Sequence, residues 1–315
     1  MSWINYLGWK ESGCMNRKGM SVVGISAVVY GVIPMLTMFL YAFGMDAIAV
    51  AFYRFFLILP IVLLITKMQG ISLRLPWKQV VSIFVYAGFF SGSTMLLLNL
   101  AYNYISIGTA TTLHFLYPVF VILICAFYYH DVIDARMKKI LLIVLLGILF
   151  FLDKGSKGSM IGIVLSMISA VTYAIYLVQL EKRNFAQMNP LVLSFYISLC
   201  TCILIFIVNF FTHSIHFMLT LQELSLFVIL SLCSITALGM LQYGSRLLGA
   251  KYTSLFSLLE PITSIVTGIL FFKGRNRGRK AYWLCLDFVC DHVFGTWKNK
   301  KRRNRKEGMI WQRCN

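Results

Sequence analysis

Charged residues are scarce in this chain. Asp, Glu, Lys and Arg make up 13% of its 315 residues and only 11 residues are acidic, whereas 59% are hydrophobic. A soluble domain of this size cannot bury so much apolar surface, so the composition excludes a soluble protein and indicates a membrane protein. The net charge of +18 does not indicate nucleic-acid binding, because the basic residues lie in short loops and near the C-terminal end.

Motifs for metal binding and catalysis are also missing from the sequence. The eight cysteines include no CxxC pair and no Cys/His ligand spacing, and several lie inside apolar runs as small core residues. No nucleophile elbow and no Walker loop is present. We therefore expect no enzyme and no cofactor, and we expect any transport to use an ion gradient or exchange rather than ATP hydrolysis.

Long apolar stretches dominate what the sequence does contain. Each is about 20 residues long, which is enough to cross about 30 Å of hydrocarbon as a helix. They predict an all-α membrane protein with nine clear spans, near residues 20–41, 46–67, 79–100, 107–129, 136–152, 159–180, 190–211, 222–243 and 251–272.

The loop charges predict the orientation in the membrane. Up to residue 272, loops on the N-terminal side carry 13 basic residues, and loops on the other side carry only Lys154 and Lys157. By the positive-inside rule, the N-terminus is cytoplasmic in the cell membrane. The 13 residues are Lys10, Arg17, Lys18, Lys67, Arg74, Lys78, Arg136, Lys138, Lys139, Lys182, Arg183, Arg246 and Lys251.

The chain resembles itself at an offset of 143 residues. The segment SAVVY (26–30) matches SAVTY (169–173), FY (52–53) matches FY (195–196), and Pro118 matches Pro261. Since each copy holds five spans, an odd number, the second copy enters the membrane from the opposite face. This inverted repeat is common in transporters, whose sites lie near the midplane between the halves.

Each repeat has one proline near the middle of its fourth span. Pro118 and Pro261 predict a kink at the same membrane depth and free the carbonyls of His114 and Ser257. A freed carbonyl in the membrane needs a protein or water partner, so the paired kinks indicate a cavity between the halves.

The sequence resembles the drug/metabolite transporter superfamily in its EamA-type form. The matching features are GTATTLHFLYPVF (108–120), AKYTSLFSLLEPITSIVTGILFF (250–272) with its Glu-Pro pair, and Arg54 in FYRFFLILP (52–60). The resemblance implies ten helices arranged as two inverted five-helix repeats. It also implies transport of amino acids, metabolites or drugs, most often as export.

Glu260 is the first candidate for the substrate or proton site. An ionised group near the membrane midplane is costly and is a functional candidate by default. A structural carboxyl, neutral or paired with Arg54, is an equally open interpretation. Arg54 itself either binds a substrate carboxylate with two hydrogen bonds, or forms a structural ion pair or reaches the membrane interface.

Other polar side chains near the predicted cavity have two interpretations each. Tyr30 and Tyr173 are repeat-related and either line the cavity or pack between helices. His114 and Tyr117 either form a proton relay, or His114 is a core histidine whose hydrogen bonds are satisfied. Asn99 and Gln242 share the offset of 143 and serve either the cavity or helix packing. The predicted site residues are therefore Glu260, Tyr30, Tyr173, Tyr117, His114, Arg54, Asn99 and Gln242, with Pro118 and Pro261 as helix kinks.

The repeat pattern stops near Gly274. The expected tenth span, near 279–295, contains Asp287, Asp291 and His292, and basic residues fill a loop that should face outward. We interpret this as a frameshift that disrupts the tenth helix, with a divergent tenth helix or a basic tail as the alternative. The predicted organisation is an N-terminal segment 1–18, with 1–14 as a start-site extension, then repeats 19–153 and 154–274, the second with four clear helices, and an aberrant tail 275–315.

Together these features predict a secondary transporter that exports a small molecule by alternating access. The predicted partners are a small-molecule substrate, the lipid bilayer and protons as the coupling ion, with a homodimer left open and nucleic acid excluded. The alternative is a truncated membrane protein that does not transport.

Overall fold

The structure, a computed structural model, describes residues 17–105, 107–133, 159–215 and 219–272. All regular secondary structure in these ranges is helical. Seven helical segments there are long and apolar enough to cross a membrane. The predicted fifth span, the N-terminal extension and the tail from residue 275 lie outside the described residues.

Six of the predicted spans match described helical segments within three residues at each end. Three of these spans are interrupted, by Leu57, by a π-helical turn at Phe84–Gly88 and by Phe115–Leu116. The predicted eighth span (222–243) ends before a kink at Gly249, where φ is +77°, and the predicted ninth span (251–272) contains a further break at Ser257–Leu258. The helices are α1 Arg17–Ala42, α2 Ala47–Phe56, α3 Ile58–Met68, α4 Trp77–Ile83, α5 Phe89–Ala101, α6 Ile107–His114, α7 Tyr117–Phe127, α8 Met160–Lys182, α9 Pro190–Thr212, α10 Leu221–Phe256 and α11 Leu259–Phe272.

Polar caps start several of these helices. The Asp46 side chain accepts a hydrogen bond from the Ile48 amide at 2.8 Å at the start of α2. Thr220 and Glu223 form a capping box at the start of α10, with bonds of 2.7 and 3.3 Å. Such caps satisfy amides that have no partner inside the helix, so the start of each helix is fixed by its own sequence.

The two repeat-related prolines each lie in the first turn of a new helix. Pro118 follows the break between α6 and α7, and Pro261 follows the break between α10 and α11. A proline is well tolerated there because the first turn needs no amide donor. The Ser257 carbonyl, at the second break, accepts a hydrogen bond from the Glu260 amide at 3.0 Å.

The two halves pack against each other reciprocally. Helix α1 of the first half packs along α10 and α11, and α8 of the second half packs along α5, α6 and α7. The two sets of contacts are equivalent, because the first span of each half packs against the third and fourth spans of the other half. The fold is therefore an all-α membrane protein built on two repeats, as the sequence predicts.

Close glycine contacts confirm the offset of 143 at the level of single residues. A Cβ atom at Gly19 would lie 2.8 Å from Leu248 Cγ, and one at Gly162 would lie 2.7 Å from Ile105 Cγ2. Adding 143 converts Gly19 into Gly162 and Ile105 into Leu248. The same close approach of backbones therefore occurs once in each half, where small residues let helices come together.

Candidate substrate site

The breaks in the two proline-containing spans bring Tyr117 and Glu260 into the same region. Each lies directly before its proline and in the first turn of its helix, α7 or α11, and the two positions are related by the offset of 143. Tyr117 and Glu260 interact electrostatically across the boundary between the halves. The positive end of the α11 dipole also favours a carboxylate at Glu260.

Arg54 faces the same region from α2. Its side chain is buried, its Nε donates to Ser234 Oγ at 2.7 Å, and the Ser231 hydroxyl donates to the Arg54 carbonyl at 2.9 Å. Arg54 and Glu260 interact electrostatically, but within the described ranges they form no direct ion pair. The two opposite charges are thus near each other without neutralising each other by contact.

Tyrosines surround this pair of charges. Tyr30 of α1 and Tyr173 of α8, the repeat-related tyrosines, each interact electrostatically with both Arg54 and Glu260. The Tyr173 ring lies edge-on to Tyr117, with ring centroids 4.7 Å apart. We call the whole group the central cluster, and its members are Tyr30, Arg54, Tyr102, Tyr117, Tyr173 and Glu260.

Sequence reasoning missed Tyr102. This residue follows the C-terminal end of α5 and interacts electrostatically with Arg54 and Glu260. Its repeat counterpart is Ser245, so the tyrosine match that marked Tyr30 and Tyr173 is absent. Its position three residues after Asn99, on the same helical side, was the available signal.

His114 lies beside the central cluster with a hydrogen-bond partner of its own. Its Nδ1 is 3.0 Å from Ser169 Oγ, and its ring contacts Tyr117 and Tyr173 at centroid distances of 5.5 and 5.4 Å. Since the Ser169 hydroxyl donates to the Ser166 carbonyl, it accepts from His114, which places the proton on Nδ1. This bonded geometry is that of a core histidine next to the site.

Asn99 and Gln242 do not share one environment, although they share the repeat offset. The Asn99 side-chain amide donates to the Met95 carbonyl of its own helix at 2.7 Å. Gln242 accepts from Ser194 Oγ at 3.3 Å and lies near Tyr176, whose ring centroid is 5.8 Å from that of Tyr173. Gln242 is therefore one layer away from the central cluster, and Asn99 is engaged with its own backbone.

Unpaired polar atoms remain in and next to the cluster. Within the described ranges the buried hydroxyls of Tyr117 and Tyr176 make no hydrogen bond of good geometry. The Ser257 side chain lies near the Tyr117 hydroxyl, and the Gln242 side chain lies near the Tyr176 hydroxyl. A buried hydroxyl without a partner is costly, so a bound polar ligand would satisfy such a group. In the same ranges, no three His, Cys, Asp or Glu residues are grouped to hold a metal ion.

The hydrogen bond from Arg54 to Ser234 gives a first prediction. Ser234→Ala removes the acceptor of a buried charged donor, which costs about 1–3 kcal/mol, so we expect a lower unfolding temperature and slower transport. Ser225→Ala is the matched control, because Ser225 is an exposed residue of the same helix that donates only to the Gln222 carbonyl. Thermal unfolding in detergent and transport in proteoliposomes would be compared for both variants. Equal stability of the two variants would contradict the role given to Ser234.

Comparison with known proteins supplies the family. The model of the EamA-like transporter family matches residues 17–152 and 160–284. A probable sugar phosphate/phosphate translocator of Arabidopsis thaliana is 28% identical over 155 residues, which cover 48% of this chain and 44% of that protein. An uncharacterized transporter of Archaeoglobus fulgidus is 30% identical over 121 residues, 38% of this chain and 43% of that protein. The chain thus aligns with less than half the length of these curated relatives.

A protein of known crystal structure has a similar fold. It superposes with a TM-score of 0.70 and 16% sequence identity, covering 88% of this chain and 96% of that chain. The family match takes in most of both halves, and the described helices cross a membrane by length and composition. The described helices are those of a multi-pass membrane protein, and the chain belongs to the EamA-like transporter family.

Proposed function

We propose that this protein is a secondary active transporter that exports a small metabolite, amino acid or drug across the cell membrane by alternating access. The halves rock against each other around the central cluster, which lies where the two halves meet. The loop charges support a cytoplasmic N-terminus. Export is the proposed direction because most members of the family that the sequence resembles are exporters.

One observation carries this proposal: opposite charges from the two halves approach each other beside unpaired hydroxyls. Arg54 belongs to the first half and Glu260 to the second, Tyr173 interacts electrostatically with both, and its ring contacts Tyr117. Buried charges inside a membrane protein are rare and mark substrate or ion pathways. A site made by both halves also changes its geometry when they move, which alternating access requires.

The central cluster can bind an anionic group and a proton or cation at different residues. The Arg54 guanidinium suits a carboxylate or phosphate, which it binds as a fork of two hydrogen bonds. The Arabidopsis relative is described as a probable sugar phosphate/phosphate translocator, which makes a phosphorylated metabolite a substrate class to test. Glu260 is the proposed carrier of the coupling proton, since it is the carboxyl group of the central cluster and a carboxyl group can take up and release a proton.

The alternative function, a truncated protein that does not transport, rests on the sequence after Gly274. Basic residues there contradict the charge rule for an outward loop. Resequencing the codons for residues 265–315 decides whether a regular apolar tenth span is restored. If resequencing restores the span, the corrected chain is assayed together with the present chain.

Transport by the purified protein in proteoliposomes tests the proposal directly. The vesicles are loaded with three labelled probes in turn: an amino-acid mixture, a sugar-phosphate mixture and a cationic dye. We expect protein-dependent efflux of one class, accelerated by a proton gradient. A folded protein that moves none of the three would favour the non-transporting alternative.

A further inference from the structure

A second group of charges lies away from the central cluster, at the N-terminal face, which we define as the membrane face where α1 begins. Asp131 follows α7 of the first half, and Lys182 ends α8 of the second half. Lys251 follows the kink in α10, also in the second half. The three side chains meet in the folded chain although 51 and 120 residues separate Asp131 from Lys182 and Lys251.

The contacts are ion pairs between the halves. Lys182 Nζ lies 3.1 Å and 3.0 Å from the two Asp131 carboxylate oxygens, and Lys251 Nζ lies 3.2 Å from one of them. The side chains are only 18–20% exposed, so water screens these pairs less than ordinary surface pairs. Lys251 also reaches the Val132 carbonyl at 3.5 Å.

A backbone contact holds the kink of α10 against α8. A Glu181 carboxylate oxygen accepts a hydrogen bond from the Ala250 amide. Gly249 has φ +77°, a conformation that side chains disfavour, and a Cβ there would lie 3.0 Å from Glu181. The segment of Gly249 to Lys251 is therefore tied both to the end of α8 and, through Lys251, to Asp131.

The tied elements are those that carry the central cluster. Helix α7 carries Tyr117, α8 carries Tyr173, and the chain from Lys251 leads through Thr253 into the break before Glu260. Separating Asp131 from the two lysines would let these elements move apart at one face only. With this face closed, the opposite face would be the entrance to the site.

We propose that Asp131, Lys182 and Lys251 form an ion-pair latch that closes the N-terminal face, and that substrate passes this face only when the latch separates. This inference rests on the proposed alternating-access function. Three residues outside the central cluster would then control one of the two entrances to the cluster.

Access of a reagent to a residue behind the latch tests this inference without any substrate. Thr253 is fully buried and follows Lys251 by two residues, on the way to Glu260 in the sequence. Thr253→Cys is therefore the reporter, in a chain whose native cysteines are replaced by serine. A membrane-impermeant maleimide is added to the N-terminal face of oriented vesicles. With Asp131→Asn we expect labelling about tenfold faster than in the parent, equivalent to about 1.4 kcal/mol.

The matched control is Asp46→Asn, the same chemical change at the other face. Asp46 caps α2, and asparagine caps equally well, so labelling should stay at the parent rate. A variant with all three charges exchanged, Asp131→Lys with Lys182→Asp and Lys251→Asp, should restore slow labelling because opposite charges still face each other at both pairs. The variant with exchanged charges also distinguishes loss of the latch from misfolding. A size-exclusion profile of each variant would reveal misfolding.

The outcomes separate the latch from the proposed function. Unchanged labelling in Asp131→Asn overturns the latch, even where the protein transports its substrate. Faster labelling that the charge exchange reverses supports the latch. Absence of transport by a folded chain overturns the proposed function, and the labelling result then shows whether the ion pairs still hold the halves together.

The charge of Asp131 gives the latch a defined pH dependence. Burial alone raises the pKa of Asp131, but hydrogen bonds from Lys182 and Lys251 outweigh burial and hold it below its usual value. Among the described residues, Glu181, Cys125 and Tyr129 are further titratable groups at this site, and the Tyr129 ring centroid lies 4.8 Å from Lys182 Nζ. Because the pKa is lower in the folded state, the stabilisation is complete above the usual pKa of about 4 and is lost as pH falls through the lowered value.

Thermal unfolding of the parent and of Asp131→Asn at several pH values checks this dependence. We expect the parent to have the higher unfolding temperature, by a constant margin, from pH 8 down to about pH 5. The margin should shrink only below about pH 4. A margin that vanishes between pH 6 and 8 would show that another group controls the latch.

Discussion

Glu260→Gln is expected to slow transport about a hundredfold and to remove its dependence on a proton gradient. Glutamine keeps the shape of the side chain but carries no charge and cannot exchange a proton. Arg54 then remains a buried charge without the opposite charge of Glu260 nearby, and the expected hundredfold corresponds to about 2.7 kcal/mol in the barrier to transport. The measurement is efflux from proteoliposomes with and without a pH gradient, for whichever probe the parent protein transports.

Glu223→Gln is the matched control for this experiment. Glu223 is buried and, like Glu260, lies in the first turn of its helix, but it belongs to the capping box of α10. Glutamine serves in a capping box as well as glutamate, so transport and stability should change little. If Glu260→Gln transports at the parent rate with the parent pH dependence, Glu260 is a structural carboxyl and the proton-coupling proposal fails.

The positions of the membrane spans followed from the sequence because hydrophobic length is a local property. The breaks before Pro118 and Pro261 also followed, because a proline interrupts the helix before it, but the π-helical turn at Phe84–Gly88 and the conformation of Gly249 did not. Gly249 adopts φ +77° beside Glu181, a residue 68 positions earlier. The kink depends on a long-range contact that a window of neighbouring residues does not contain.

Parts of the site were predictable because the repeat restricts where residues can meet. The offset of 143 pairs Tyr30 with Tyr173 and places the residue before Pro118 opposite the residue before Pro261. The same offset paired Asn99 with Gln242, yet Asn99 bonds its own helix and Gln242 bonds Ser194. An offset fixes membrane depth but not the direction of a side chain, which depends on the rotation of each helix in the bundle.

Gly31→Ala is expected to lower the stability by about 1–3 kcal/mol, the usual cost of overpacking, and to slow transport. Gly31 follows Tyr30 on α1 and approaches α11 so closely that a Cβ would lie 2.8 Å from the Glu260 carbonyl oxygen and would also overlap Thr263. Backbone atoms cannot move aside as a flexible side chain can. The substitution must therefore push α1 away from α11 at the depth of the central cluster, separating Tyr30 from Glu260.

Gly24→Ala makes the same change two turns earlier on the same helix, and it isolates this effect. A Cβ at Gly24 meets only Leu259 Cδ1, at an ordinary contact distance of 3.7 Å, and alanine also favours a helix. We expect Gly24→Ala to match or slightly exceed the parent in unfolding temperature and to transport normally. Equal behaviour of the two variants would mean that α1 and α11 tolerate separation, so that close contact between the halves at Gly31 is not needed to keep the site assembled.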